Sequence, residues 1–207
     1  MNKLYDTLAS KEAISATMQA LSKNGFLPEF VETSAEALEK IKEIIPAGAS
    51  VMNGSSQTLE QIGFVDYLKD GVHGWNNLHA GIYAEKDPVK QALLRRQAVL
   101  ADYYLGSAHT IAQTGELVIA SGTGSQLPSL VFTSPTVILI VGVQKIMQDL
   151  PAAIARLHEY VIPLEDDRMK KRGASGTVLA KLLIFNRETE TMGRNIHIIL
   201  VNEKLGF

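Results

Sequence analysis

Residues 136–143, Thr-Val-Ile-Leu-Ile-Val-Gly-Val, decide the fold of this chain. The run is apolar, rich in β-branched side chains and shows no alternation with polar residues. A strand with one wet face alternates. A strand without alternation is covered on both faces, the habit of a parallel strand held between layers. The run is far too short to cross a bilayer, which takes ~20 helical residues.

Reading outward toward the C-terminus, Leu150, Ile154, Leu157 and Val161 recur at helical spacing. Residues 165–172 (EDDRMKKR) are highly polar and read as a loop or frayed helix before Gly173 and Gly176. Residues 178–185 and 196–201 read as strands, paired as a β-hairpin across 186–195. Toward the N-terminus, 116–120 (ELVIA) is a strand that enters the turn cluster 121–125, and 103–105 is a strand that enters Gly106. Asp87-Pro88 opens a helix with a polar cap and a proline in the first turn. Residues 70–86, with Gly71, Gly74 and Gly81, form an irregular excursion. Residues 50–53 are a short strand running into Gly54. Thr58 and Gln61 have capping-box spacing ahead of a stripe of Leu59, Ile62, Val65 and Leu68. The same spacing recurs at Thr33 and Glu36, before Ala37, Leu38, Ile41, Ile44 and Ile45. Residues 29–32 read as a strand, and 3–23 as one helix with Ile14, Met18 and Leu21 inward and Asn24-Gly25 as its stop.

This order of strand and helix specifies an α/β three-layer domain with a mostly parallel central sheet. The chain of 207 residues reads as a single domain, 1–207, with an N-terminal helical segment at 1–25 and a C-terminal strand extension at 173–207. Such an extension suits packing across a homodimer interface.

Composition narrows the function. Lys plus Arg number 20 and Asp plus Glu 22, for a net charge of -2. That balance argues against a nucleic-acid coat, which carries a basic excess. The absence of cysteine removes disulfides, thiol nucleophiles and thiolate-held zinc or iron–sulfur clusters from this chain. Met1-Asn2-Lys3-Leu4-Tyr5-Asp6 has no apolar run behind its lysine, so the expectation is a cytoplasmic protein without leader or membrane span.

In open α/β sheets, ligands sit where strands end and loops lead into helices. Three such segments carry chemistry. Gly54, Ser55, Ser56 and Thr58 combine close backbone approach with hydroxyl donors before a helix start, which suits a carboxylate or phosphate. The plainer alternative is a tight turn whose hydroxyls only cap the helix. Residues 106–116 hold His109, Gln113, Thr114, Gly115 and Glu116, on a segment that otherwise reads as a hairpin connection turning at Thr114-Gly115. Gly122, Gly124 and Ser125 resemble a phosphate cradle, but no Lys-Ser/Thr follows and Leu127 stands where a dinucleotide fingerprint needs its third glycine. Arg168, Lys170, Lys171 and Arg172 could close over an anion; the plainer alternative is a solvated loop. Five histidines show no metal-ligand spacing, and His73 and His79 read as satisfied imidazoles rather than a metal pair. No Gly-x-Ser-x-Gly elbow is present.

Taken together, ADYYLGSAHTIAQTGELV (101–118), SGTGSQLPSLVFTSPTVILIVGVQKIMQDLPAAIARLHEYVIPLEDDR (121–168) and VMNGSSQTLEQIG (51–63) resemble the lactate-utilisation (LUD) domain family. The resemblance covers roughly residues 5–172. It implies a fold like sugar-phosphate isomerases and coenzyme A transferases, and a bacterial role in oxidising L-lactate to pyruvate alongside iron–sulfur partner proteins. Carried over by position, it implies a pocket built from Gly54, Ser55, Thr58, Thr114, Gly115, Gly122, Gly124 and Arg168. Gln113 stands where relatives often have Glu, His109 where they often have Asp or Asn, and Ser125-Gln126 where many have Asn-Arg. If those acids do chemistry in relatives, this chain binds without turnover or uses Glu116 as its catalytic carboxylate.

Moving two electrons from lactate needs an acceptor that no side chain here supplies. The expectation is therefore a small anionic metabolite bound by this chain, no cofactor or metal within it, and iron–sulfur clusters only on lactate-oxidation partners. Two other readings stand beside it. One is a stand-alone transferase or isomerase acting on a coenzyme A ester or sugar phosphate. The other is a non-enzymatic regulatory or scaffold subunit.

Overall fold

The computed structural model describes residues 3–207, with side chains from Tyr5 onward. Among the described residues, ten strands and eight α-helices are ordered as follows. Helix α1 (Lys11–Lys23) leads to β1 (Leu27–Val31), α2 (Ser34–Ile44) and β2 (Ser50–Asn53). Next come α3 (Gln57–Gln61), α4 (Phe64–Asp70), β3 (Asn76–Asn77), α5 (Leu78–Ala84) and α6 (Pro88–Gln97). Strands β4 (Tyr103–Gly106), β5 (Thr110–Ala112), β6 (Leu117–Ser121), β7 (Thr136–Gly142) and β8 (Ile146–Met147) precede α7 (Leu150–Arg156) and α8 (Ile162–Lys171). Strands β9 (Lys181–Phe185) and β10 (Asn195–Val201) complete the chain.

The central sheet has six strands in the order β1-β10-β7-β4-β2-β3, all parallel. Strand β7 lies inside it and every one of its residues is buried, as the unalternating run requires. Its two faces feed two cores. Val137, Leu139 and Val141 point to the side covered by α1 and by a second sheet, β8-β5-β6-β9. Ile138 and Ile140 point to the side covered by α2, α3 and α4. This is the three-layer α/β arrangement. A third apolar cluster joins the outer face of the small sheet, through Val118, to Ala153, Leu157 and Val161 of the α7–α8 segment.

Several expectations are corrected. The C-terminal strands do not form a hairpin with each other. Strand β10 inserts between β1 and β7, and β9 joins β6 as the edge of the small sheet. Burial explains the separation. Ile196 and residues 198–201 are all buried, and such a strand needs cover on both faces. Strand β9 exposes Lys181 and Leu182, which an edge tolerates. The segment 165–172 is not a loop: α8 continues through it, supported by Glu165–Arg168 and Asp166–Lys170 ion pairs one turn apart. Between α7 and α8, Leu157–Val161 form a π-helical turn.

The N-terminal segment is not one helix. A 3-10 turn, Lys3–Asp6, stops short of α1, which Ser10 caps by accepting from the Ala13 N–H. The first strand begins two residues earlier than expected. Thr33 does cap α2, while the Glu36 carboxylate accepts from the Glu32 N–H. At the start of α3 the cap is Ser56, which accepts from the Leu59 N–H, and not Thr58. Gly63, at a φ of 79°, then breaks the anticipated helix into α3 and α4.

Candidate functional site

The carboxyl ends of β2, β4, β7 and β10 lie side by side in the central sheet, so the segments leaving them meet. Gly54, Ser55, Ser56 and Thr58 follow β2; Ser107, Ala108 and His109 follow β4; Lys145 follows β7; Gly206 and Phe207 follow β10. Together they line one side of a cleft of 260 Å³. The opposite side comes from Ser121, Gly122, Thr123 and Ser125 after β6 and from Glu165 and Arg168 on α8. This is the strand-end position expected of ligands in open α/β sheets.

Lys145 dominates the floor. It is 3 % exposed, and its Nζ donates to Thr58 Oγ1 at 3.1 Å, Ser107 Oγ at 3.1 Å and the Ala108 carbonyl at 3.4 Å. None of these acceptors is a carboxylate, and among the described residues Lys145 enters no ion pair. Burial, with a smaller push from Arg156, lowers its pKa from 10.5 to about 7. Thr58 therefore spends its hydroxyl on the lysine rather than on the helix.

Arg156 lies behind His109, fully buried. Its Nε donates to the Tyr5 carbonyl at 3.0 Å and its Nη1 to the His109 carbonyl at 2.9 Å, while its Nη2 is buried without a partner. Burial first, then the charges of Lys145 and Arg156, lower His109 to about 3. The imidazole is neutral at physiological pH. Its Nδ1 accepts from the Ala120 N–H at 3.2 Å, which leaves the ring proton on Nε2.

Arg168 contributes a second cation. Its Nε and Nη2 grip Glu165 in a two-pronged pair, both at 2.7 Å, and this pairing raises its pKa. Its Nη1 is buried and unpartnered. A guanidinium N–H hidden from water without an acceptor is costly unless something fills the gap. Among the side chains that line the cleft the one carboxylate, Glu165, is already engaged, against Arg168, Lys145 and a set of hydroxyls.

Two glycines are needed by their surroundings. A Cβ at Gly54 would lie 2.6 Å from the Tyr104 hydroxyl, and one at Gly206 would lie 2.5 Å from Thr58 Oγ1 and 3.0 Å from Lys145 Nζ. The Tyr104 hydroxyl and Asn53 Oδ1, both buried and unpartnered, border a smaller cavity of 110 Å³ on the other side of Gly54.

Of the residues singled out from sequence, Gly54, Ser55, Ser56, Thr58, His109, Gly122, Ser125 and Arg168 line the cleft. Gln113, Thr114, Gly115 and Glu116 do not. They form the turn between β5 and β6, at the end of that hairpin away from His109. There the Gly115 N–H donates to the Ala112 carbonyl, Asn24 Nδ2 of the α1 terminus donates to the Thr114 carbonyl, and the Thr114 hydroxyl bonds to Glu116. A ligand role for these four, and a catalytic role for Glu116, does not fit that placement. The physical reason is that β5 reverses the chain and carries the loop's second half away. Gly124 also stays outside the cleft. It packs on Lys181, and its N–H donates to Ser121 Oγ, so the glycine-rich turn is closed by its own neighbours. His73 and His79 are bonded to the Leu68 and Asn53 carbonyls.

Sequence reading missed Lys145, Ser107 and Arg156 as site residues. A signal existed: Lys145 and Arg156 are isolated charges in otherwise uncharged stretches, 143–147 and 152–157, and such charges are buried for a reason.

Comparison with known proteins adds kinship. The model of the LUD domain matches residues 14–201. No curated protein matches the chain. Among solved structures, a DUF162 family protein from Deinococcus radiodurans is similar in fold, with a TM-score of 0.57 at 12% identity over 95% of this chain and 100% of that one. The match spans the central sheet from its first helix to its last strand, and on that ground this chain belongs to the LUD domain family.

Proposed function

We propose that the cleft binds a small carboxylate metabolite and serves the oxidation of L-lactate to pyruvate in bacteria. The observation that carries this reading is the buried, unpartnered Nη1 of Arg168, in a cleft whose other cation, Lys145, bonds only to hydroxyls and a carbonyl. A ligand carboxylate would accept from Arg168 Nη1 and from the hydroxyls of Ser55, Ser107 or Ser125. The LUD family relationship supplies the metabolic context. The chain has no group that accepts an electron pair reversibly, so the two electrons of lactate oxidation leave on iron–sulfur partner proteins.

Calorimetry with L-lactate and pyruvate tests this. Binding is expected at millimolar ligand or tighter, and Arg168→Gln is expected to weaken it roughly ten- to a hundred-fold, the worth of a charge-assisted hydrogen bond. Unchanged affinity in Arg168→Gln would remove the proposed contact.

A second reading is favoured by Lys145. A buried amine poised near neutrality is a group that proton-transfer and acyl-transfer enzymes use. On that reading the chain is a transferase or isomerase acting by itself on a coenzyme A ester or sugar phosphate. Turnover of such substrates by the isolated protein, lost in Lys145→Met, would displace the lactate reading.

A further inference from the structure

We propose that the Lys145 amine forms a reversible imine with the carbonyl carbon of a 2-oxo acid held in this cleft. The proposal deepens the carboxylate-binding reading above and rests on it.

Four features of the cleft carry it. A lysine kept for structure alone normally finds a carboxylate when buried. Lys145 finds only Thr58 Oγ1, Ser107 Oγ and a carbonyl. Those neutral partners hold the nitrogen in place without neutralising it. The amine belongs to the lining of the same cleft as Arg168, whose free N–H suits the carboxylate that a 2-oxo acid carries next to its carbonyl. His109, also on that lining, keeps its proton on Nε2 and presents it as a neutral donor. Finally, residue 206 is a glycine, so no side chain crowds the amine: a Cβ there would lie 3.0 Å from Lys145 Nζ. With a pKa of about 7, a large fraction of the amine is unprotonated at neutral pH, the form that attacks carbonyls.

The chemistry balances within these groups. The Nζ lone pair attacks the 2-oxo carbon, a C–N bond forms and the carbonyl π pair moves onto oxygen. One amine proton passes to that oxygen to give a carbinolamine, with the Thr58 and Ser107 hydroxyls as relays. The hydroxyl then leaves with the second amine proton as water, and C=N forms. No electrons are gained or lost. L-lactate has no ketone carbonyl and cannot form the imine, so the step separates the oxidised acid from the reduced one.

The test treats the full chain with pyruvate and cyanoborohydride at neutral pH. Reduction fixes the imine as a secondary amine, which adds the mass of pyruvate less one oxygen atom. Peptide mapping of the wild-type protein is expected to find the adduct at Lys145 ahead of the surface lysines. Lactate should give none, and Lys145→Arg and Lys145→Met should lose it. Because the map is read on wild-type protein, it needs no folded variant. Pyruvate binding seen by calorimetry with no adduct at Lys145 overturns the imine and leaves the carboxylate site standing. Absence of both heat and adduct overturns both. Labelling confined to surface lysines overturns the imine.

Discussion

Lys145 is the residue at which stability and chemistry oppose each other. Its pKa is lowered from 10.5 to about 7 by burial and then by Arg156. Between those values the unfolded chain holds a proton that the folded chain does not, so the folded state loses stability as pH falls from about 10.5 to about 7 and levels off below. At about 1.4 kcal/mol per unit the penalty is on the order of 5 kcal/mol. Lys145→Met should therefore gain stability relative to wild type as pH falls from about 10 to about 7, measured by urea unfolding at both ends. A difference that does not change with pH would show that the amine stays charged in the fold. The other residue-scale prediction concerns Gly54. Its added methyl would strike the Tyr104 hydroxyl, and Tyr104 is 2 % exposed with little room to retreat. Gly54→Ala is expected to cost about 1–3 kcal/mol in wild type and clearly less in Tyr104→Phe, where the clashing oxygen is gone. Additive effects in that double-mutant cycle would deny the contact.

At the scale of the element, the two C-terminal strands make the contrast. Strand β10 pairs along its whole length with β7, and along five residues with β1. Ile198 is fully buried in the core that faces α1, while Leu182 of β9 is 41% exposed on the small sheet's edge. Ile198→Ala should destabilise by about 2–4 kcal/mol, transfer and cavity terms together. Leu182→Ala should cost well under 1 kcal/mol. Denaturant midpoints of the two variants check this, and similar values would point to a β10 that does not sit inside the sheet. The α7–α8 segment has a different task. Its π turn places Leu157 and Val161 against the outer face of the small sheet and along the cleft, and one turn further on α8 supplies Glu165 and Arg168. The segment read as a loop or frayed helix is therefore the wall that carries Arg168.

For the whole molecule, the position of β10 means that the last residues belong to the fold and are not an appendage. They join β1, the edge strand of the central sheet, to the rest of the parallel strands. Arg194 strengthens the join by donating to the Ser134, Ser129 and Leu130 carbonyls and pairing with Glu188. A chain ending at residue 187 is expected to lose its cooperative unfolding transition and its near-ultraviolet circular dichroism. Retention of both would mean that the sheet closes without β10. The same arrangement brings the segment after β10, with Gly206 and Phe207, to the cleft, so the site joins segments as far apart in sequence as Gly54 and Phe207.

What the sequence by itself determined was local. The unalternating run at 136–143 established a parallel strand covered on both faces, because side-chain periodicity is a property of a few consecutive residues. Apolar stripes located α2 and α7, and Thr33 was legible as a cap. The glycine and serine turns at 54–58 and 122–125 were legible as well, and both reach the cleft. Tertiary structure decided the rest. Nothing local distinguishes a hairpin between β9 and β10 from insertion of β10 beside β7, because pairing is chosen by the burial each strand finds far away in sequence. Nothing local separates His109, which the sheet delivers to the cleft, from Glu116, which β5 carries off on the far side of a turn. Lys145 became a site residue only when three strand ends converged on it, removed it from water and offered it no carboxylate. Its lowered pKa is a consequence of that enclosure, and enclosure exists only in three dimensions.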